Sequence, residues 1–239
     1  MGKMKVVSIV SITAGLVLAG ISVARAQTPS SQAFLDVNIG VQGPSQTLET
    51  NAVFPLFGET ASVAAAQTIG VAPILDARVG YRVLPRFAVA LDVSGRKDES
   101  EAQAVASVPS PILFGSPTIV NLTTSGLTRR EIGYHIQILW FLPLSDQLEL
   151  SVFGGPSFIR LQQAVTAATV AGQTVSVSST NETGTATGVN GGVDVTYLIS
   201  TRIGVGAFVR YTGASIDLPS TSGVKVGGVQ SGGGLRLRF

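Results

Sequence analysis

The chain has 239 residues, of which 45% are hydrophobic, 13% charged and 6% aromatic, with 28 Gly and no Cys. Charged residues make up about a quarter of an ordinary soluble domain, so this composition argues against a cytosolic protein and against disorder, and the missing Cys excludes disulfides, Cys-ligated zinc and thiol catalysis. The formal charge of +2 forms no basic stripe or cluster, which excludes a nucleic-acid-binding surface.

The chain opens on a short basic segment, Met1 to Lys5, followed by an apolar stretch from Val6 to Val23 and then Ala24-Arg25-Ala26. A basic start, an apolar middle and a small-x-small end are the parts of a secretory signal peptide. The reading is 1–26 signal peptide and 27–239 mature domain. Removing Lys3, Lys5 and Arg25 turns the formal charge from +2 to −1.

Beyond Gln27 no apolar run reaches the roughly 18 residues of a membrane helix. Period-two alternation recurs instead. In 74–83, Leu75, Ala77, Val79, Tyr81 and Val83 share one face, and Asp76, Arg78, Gly80 and Arg82 the other. The same pattern runs through 132–140 and 189–199, and it marks strands with one apolar and one polar face. Eight strands are predicted: Ala33–Gln42, Ile74–Val83, Phe87–Arg96, Arg130–Leu142, Leu148–Arg160, Thr187–Ile199, Arg202–Gly213 and Val226–Phe239. Three short turns (84–86, 143–147 and 200–201) alternate with four long segments (43–73, 97–129, 161–186 and 214–225). Within 161–186, Val165–Val170 and Thr174–Ser178 read as a hairpin about Ala171-Gly172-Gln173.

That rhythm predicts an all-β fold: an eight-stranded antiparallel up-and-down transmembrane barrel with short periplasmic turns and long extracellular loops. The polar face holds Gly, Ser, Thr, Asn and isolated charges, too sparse for a surface in water. The apolar face therefore points to lipid and the polar face inward. Tyr81, Phe87, Trp140, Tyr197 and Phe239 fall near short turns or the C-terminus and are predicted to form a periplasmic aromatic girdle.

The final strand, Val229-Gln-Ser-Gly-Gly-Gly-Leu-Arg-Leu-Arg-Phe239, alternates and ends on Phe. It resembles the last strand of bacterial outer-membrane proteins. The mature chain resembles the small barrels related to the membrane domain of outer membrane protein A and the opacity proteins. The resemblance implies residence in the bacterial outer membrane, contact with outer-membrane lipid and lipopolysaccharide, and a monomer. It also implies recognition of Phe239 by the barrel-assembly machinery.

Eight strands enclose a space that side chains can fill. The expected function is therefore structural or surface-interacting, through long loops that meet an extracellular ligand. A small porin-like channel is the alternative, and a lipid-modifying enzyme ranks lower. The only His, His135, is followed by Ile136 and Gln137, so the His-x-Ser of outer-membrane deacylases is missing. No catalytic residue, cofactor or metal site is assigned. Asp98 to Glu101 reads as a solvated acidic loop.

A charge network is predicted inside the barrel. Val83 is expected to pair with Phe87, which sets strands two and three in a register summing to 170 and places Arg78 opposite Asp92. Closure places Asp36 near Arg236 or Arg238, and Asp194 and Arg210 face inward on neighbouring strands. Intact-mass analysis of membrane-fraction protein is expected to show Gln27 at the N-terminus. Retention of residues 1–26 would overturn the signal-peptide reading.

Overall fold

A computed structural model describes residues 32–44, 47–171 and 174–239. The predicted leader, Gly172 and Gln173 lie outside the described residues. Ten strands follow one another: β1 Ala33–Gln42, β2 Thr47–Leu56, β3 Glu59–Thr68, β4 Ala72–Leu84, β5 Phe87–Val108, β6 Thr118–Pro143, β7 Leu148–Ala171, β8 Thr174–Leu198, β9 Ile203–Ile216 and β10 Val224–Arg238. Among the described residues no helix is long and apolar enough to cross a membrane.

Eight strands close into an antiparallel ring in the order β1, β4, β5, β6, β7, β8, β9, β10, and β10 pairs back with β1. Neighbouring pairs can be followed round it from Arg96 through Ile74, Gly40, Gly232, Phe208, Asp194, Ser151 and Phe141, whose amide bonds Arg86. The walk returns ten residues from its start. Ten rises of about 3.3 Å against eight spacings of about 4.8 Å give a strand tilt of roughly 40°.

The remaining two strands are not part of the ring. β2 and β3 form a hairpin about Phe57-Gly58, both in the left-handed region as a two-residue turn needs. β3 then pairs with the outer part of β5, Ser62 with Ser107 through Gln67 with Ala102. The segment 43–73, read from sequence as a loop, is thus mostly strand. β5 to β8 also run much further than predicted. Ala171 pairs with Thr174, so the hairpin expected after 161 is present.

The register of β4 and β5 sums to 170 from Ile74–Arg96 to Arg82–Ala88, and Arg78 stands opposite Asp92. The predicted contact of Val83 with Phe87 does not form. A bulge after Arg82 brings Leu84 opposite Phe87 instead, because the extra residue lets a short turn follow the sheet's twist.

Outward positions form one apolar band. On β5 these are Phe87, Val89, Leu91 and Val93; on β6 Trp140, Ile138, Ile136 and Tyr134; on β9 Ile203, Val205, Val209 and Tyr211. Levels counted along the tilted ladder make the band roughly 25 Å tall, the lipid-facing height of a transmembrane barrel. Tyr81, Phe87, Trp140, Tyr197 and Phe239 are all exposed at its short-turn edge. Tyr134, Phe158 and Tyr211 are exposed at the opposite edge, a second aromatic ring the sequence reading did not assign.

Backbones crowd one another at the seam between β1 and β10. A Cβ at Gly234 would collide with the carbonyl oxygen of Val37, and one at Gly40 with that of Ser231. Higher on the same strand Gly227 and Gly228 have φ of 87° and 128°, which suits only glycine. Gly234→Leu is expected to block closure, seen as loss of the fast-migrating unboiled species on a gel. Gly95→Ala, with nothing within 4 Å of its Cβ, should leave that species intact.

Candidate functional site

Every inward position of a narrow barrel meets side chains from across the lumen, so a charge placed there must find its partner among them. The interior is organised in tiers. At the short-turn end one nitrogen of Arg82 donates to both oxygens of Glu149 at 2.7 Å, and its guanidinium lies 3.9 Å from the Phe141 ring centroid. Arg238 donates to Asp36 at 2.9 Å and stacks over Phe34. Phe34 meets Phe141 edge-on.

Asp36 and Asp194 interlock with Arg78 and Arg236 in the next tier. Arg78 donates to Asp36 at 2.7 and 3.0 Å and to Asp194 at 3.3 Å. Arg236 donates to Asp194 at 2.6 Å and to Asn38 at 2.6 Å. Above them Arg210 donates to Asp92 at 2.8 Å and to Gln230 at 2.6 Å. Asp76 stands 2.9 Å from Arg210 as an ion pair without hydrogen-bond alignment, and accepts from Asn38 at 2.8 Å.

The uppermost tier gathers around Glu131. It accepts from Arg129 at 2.7 Å, from the Gly227 amide at 3.1 Å and from Gln42 at 3.3 Å. Arg129 also bonds Gln163 and the Lys225 carbonyl. Arg96 bonds Asp98 and the Gly70 carbonyl. Counting Asp98 and Glu149 at the two rims, seven carboxylates face seven guanidiniums.

All seven residues predicted for the network, Asp36, Arg78, Asp92, Asp194, Arg210, Arg236 and Arg238, are buried inside. Asp36 lies near Arg238 and Arg236 as expected, whereas the other partners differ. Arg78 is opposite Asp92 in backbone register but bonds Asp36 and Asp194. Asp194 and Arg210 do not pair with each other. Asp36 is 2.9 Å from Arg238 and 3.9 Å from Arg236. A guanidinium on a long stem crosses the lumen, so its partner need not lie on the neighbouring strand. The network also holds Asp76, Arg82, Arg96, Asp98, Arg129, Glu131 and Glu149, which the expectation does not include. Asp76, Arg82 and Glu131 carry the same parity signal as Arg78 and were legible. Arg96 and Arg129 lay at the predicted strand margins.

His135 is buried, with Ser94 3.0 Å from Nε2 and Ser157 2.8 Å from Nδ1. The serine missing from its own strand is therefore supplied twice, by β5 and β7. Asn190 donates to Ser157 at 2.9 Å and to the carbonyls of Gly155 and Pro156, beside a ladder gap where Pro156 has no N–H. Both imidazole nitrogens are engaged by hydroxyls. The void beside them, lined by Ser94, His135 and Gln230 among others, is about 10 Å³, room for roughly one water. This Ser-His-Ser set ties β5, β6 and β7 together. The acidic run splits between two cations: Asp98 bonds Arg96 and Glu99 bonds Lys97. Among the described residues no group of His or carboxylates has the arrangement of a metal site.

No protein-family model matches the chain, and no curated protein matches it in sequence. The solved structures to which the chain is similar include three outer-membrane proteins. The outer membrane protein OprG from Pseudomonas aeruginosa has 11% identity and a TM-score of 0.48, covering 90% of this chain and 98% of its own. The outer membrane protease OmpT from Escherichia coli has 9% and 0.45, covering 89% and 98%. Neisserial surface protein A has 14% and 0.44, covering 87% and 97%. Likenesses this distant concern the fold.

Removing Arg210 leaves Asp76 and Asp92 sharing a buried site without the cation that ion-pairs with both. Arg210→Ala is expected to destabilise the barrel by about 3–5 kcal/mol in urea unfolding. A double-mutant cycle should give stronger coupling for Asp92 with Arg210 than for Asp92 with Arg78. The reverse order would contradict the tiers.

Proposed function

We propose that the chain is an integral outer-membrane barrel that displays a rigid binding surface outside the cell and is neither an open channel nor an enzyme. The observation that carries the reading is at the far tip. The turn 109–117 reads Pro-Ser-Pro-Ile-Leu-Phe-Gly-Ser-Pro and holds no charge. Ile112, Leu113 and Phe114 are 83%, 64% and 74% exposed.

Apolar side chains this exposed are unfavourable in water, by roughly 25 cal/mol for each Å² left uncovered, and a contiguous patch marks a contact site. The tip is held in place. β5 and β6 carry it roughly 30 Å beyond the apolar band, counting about 3.3 Å per residue along tilted strands. The β2–β3 hairpin braces the same sheet through Val63, Ala104, Ala106 and Val108. Glu59, beside the Phe57-Gly58 turn, accepts from the Gly115 amide at 2.6 Å.

Both ends of the ring meet at the short-turn edge, where the Ala33 and Phe239 backbones bond each other. That edge is read as periplasmic, with Phe239 on its outer rim presented to the assembly machinery. The balanced lumen leaves no charged path for ions, which favours surface display over conduction.

The expected ligand presents an apolar surface. Cells displaying the chain should adhere to immobilised extracellular-matrix proteins or cell monolayers. The variant carrying Ile112→Ser, Leu113→Ser and Phe114→Ser should lose most of that adhesion with its gel mobility unchanged. Equal adhesion by the variant would overturn the assignment of the tip. Large, steady, ion-selective conductance in a planar bilayer would replace the reading with a channel.

A further inference from the structure

We infer that Lys97, Arg130 and Arg160 form a docking site, on the lipid-facing wall, for the phosphates of a bisphosphorylated glycolipid in the outer leaflet. The inference rests on the outer-membrane placement proposed above. All three residues are exposed and lie on the outward face of three neighbouring strands, β5, β6 and β7. Lys97 stands directly opposite Arg130, and Arg160 opposite Ile132, one outward step from Arg130.

Level is the first argument. Counted along the tilted ladder the three cations lie within roughly 3 Å of one another in height. They sit just above Tyr134 and Phe158, the upper aromatics of their own strands. That is the headgroup level of a membrane. Long basic side chains there keep their stems on the apolar wall and lift the charge to the interface.

Unmet charge is the second. Like charges directly opposite across two strands repel, yet Lys97 and Arg130 are so placed. Lys97 has one carboxylate, Glu99, at 3.2 Å, and both side chains are largely exposed. Arg130 and Arg160 have no ion pair among the described residues, in contrast to every arginine inside the barrel. Glu99 and Glu101 lie outward on β5 above this level, so the two arginines face a region their own chain does not neutralise. An anion between the strands turns the repulsion into attraction.

Footprint is the third. From β5 to β7 is about 10 Å, wider than one phosphodiester engages. Arginine forks bind phosphate oxygens in pairs, so two phosphates on one headgroup fit three cations across three strands. At the same level on β8, β9 and β1 the outward residues are Thr187, Gly213 and Gly43, and the exposed Lys225 of β10 stands apart from the three on the far side of the ring.

The test uses the purified full chain in detergent micelles, titrated with bisphosphorylated lipid A and followed by native mass spectrometry. The variant Lys97→Ala/Arg130→Ala/Arg160→Ala is expected to bind about tenfold more weakly or worse. Arg130→Lys/Arg160→Lys should retain part of the affinity, and Arg202→Ala, at the short-turn end, should behave as the parent. Lipid A stripped of its phosphates should lose binding to the parent protein by a similar factor.

Unchanged binding by the triple variant, or by the stripped lipid, would overturn the site. Equal affinity for phosphatidylglycerol would overturn the glycolipid assignment. Heat-shift gels report whether each variant folds. If the triple variant does not, the stripped lipid with the parent protein still decides. The measurement needs no surface ligand, so its failure is distinct from failure of the display reading.

Discussion

In hydrocarbon an unpaired backbone N–H or C=O costs several kcal/mol, so a sheet can cross a membrane only if it has no free edge. That requirement closes β10 onto β1, and the other features of the barrel follow from closing with as few as eight strands. Eight tilted strands leave an interior one layer of side chains deep. Glycine is then placed where backbones approach across the seam, as at Gly40 and Gly234. The outward face becomes a uniform apolar band because lipid offers polar side chains no partner.

The inward face faces the opposite problem. A charge there has left water and is stabilised only by its neighbours. Seven carboxylates against seven guanidiniums meet that condition as a set rather than as seven couples. Asp194 serves Arg78 and Arg236, and Arg210 serves Asp92 and Asp76. Asn38, Gln42 and Gln230 relay hydrogen bonds between tiers. Because Arg78–Asp194 and Arg210–Asp92 join strands from opposite sides of the ring, they also oppose register slips, which would carry each charge away from its partner.

Alternation in the sequence carried the ring itself: β1 has its predicted bounds, the β4–β5 register sums to 170, and the inward residues are those the parity assigns. Two things were not legible. One was the identity of the ion pairs, because backbone register places a Cβ while a guanidinium reaches several ångströms further across the lumen. The other was the extent of strand beyond the membrane. In β3 and the outer half of β5 the contrast of aliphatic and charged faces gives way to runs rich in Ala, Ser and Val. The hydrophobic contrast that announced the inner strands fades there, although the backbone pairing continues.

That loss of contrast has a physical origin in the membrane boundary. Within the band the barrel is apolar outside and charged inside. Above it the exterior turns to Thr183, Thr185 and Gln162, while Ile159, Leu161, Ile216, Leu218, Val224 and Val226 pack together within. The same strands cross both regimes, so each keeps its period of two while the apolar side changes hands. Water replaces lipid as the outer solvent, and the hydrophobic effect then favours an apolar interior as in any soluble barrel. The interior is thereby filled by different means, by matched charges within the band and by packed aliphatics beyond it. The packed aliphatics stiffen the outer strands. A flexible loop would pull the apolar tip back into its own folds, whereas strands with a packed core and a braced hairpin hold Ile112 to Phe114 out in solvent.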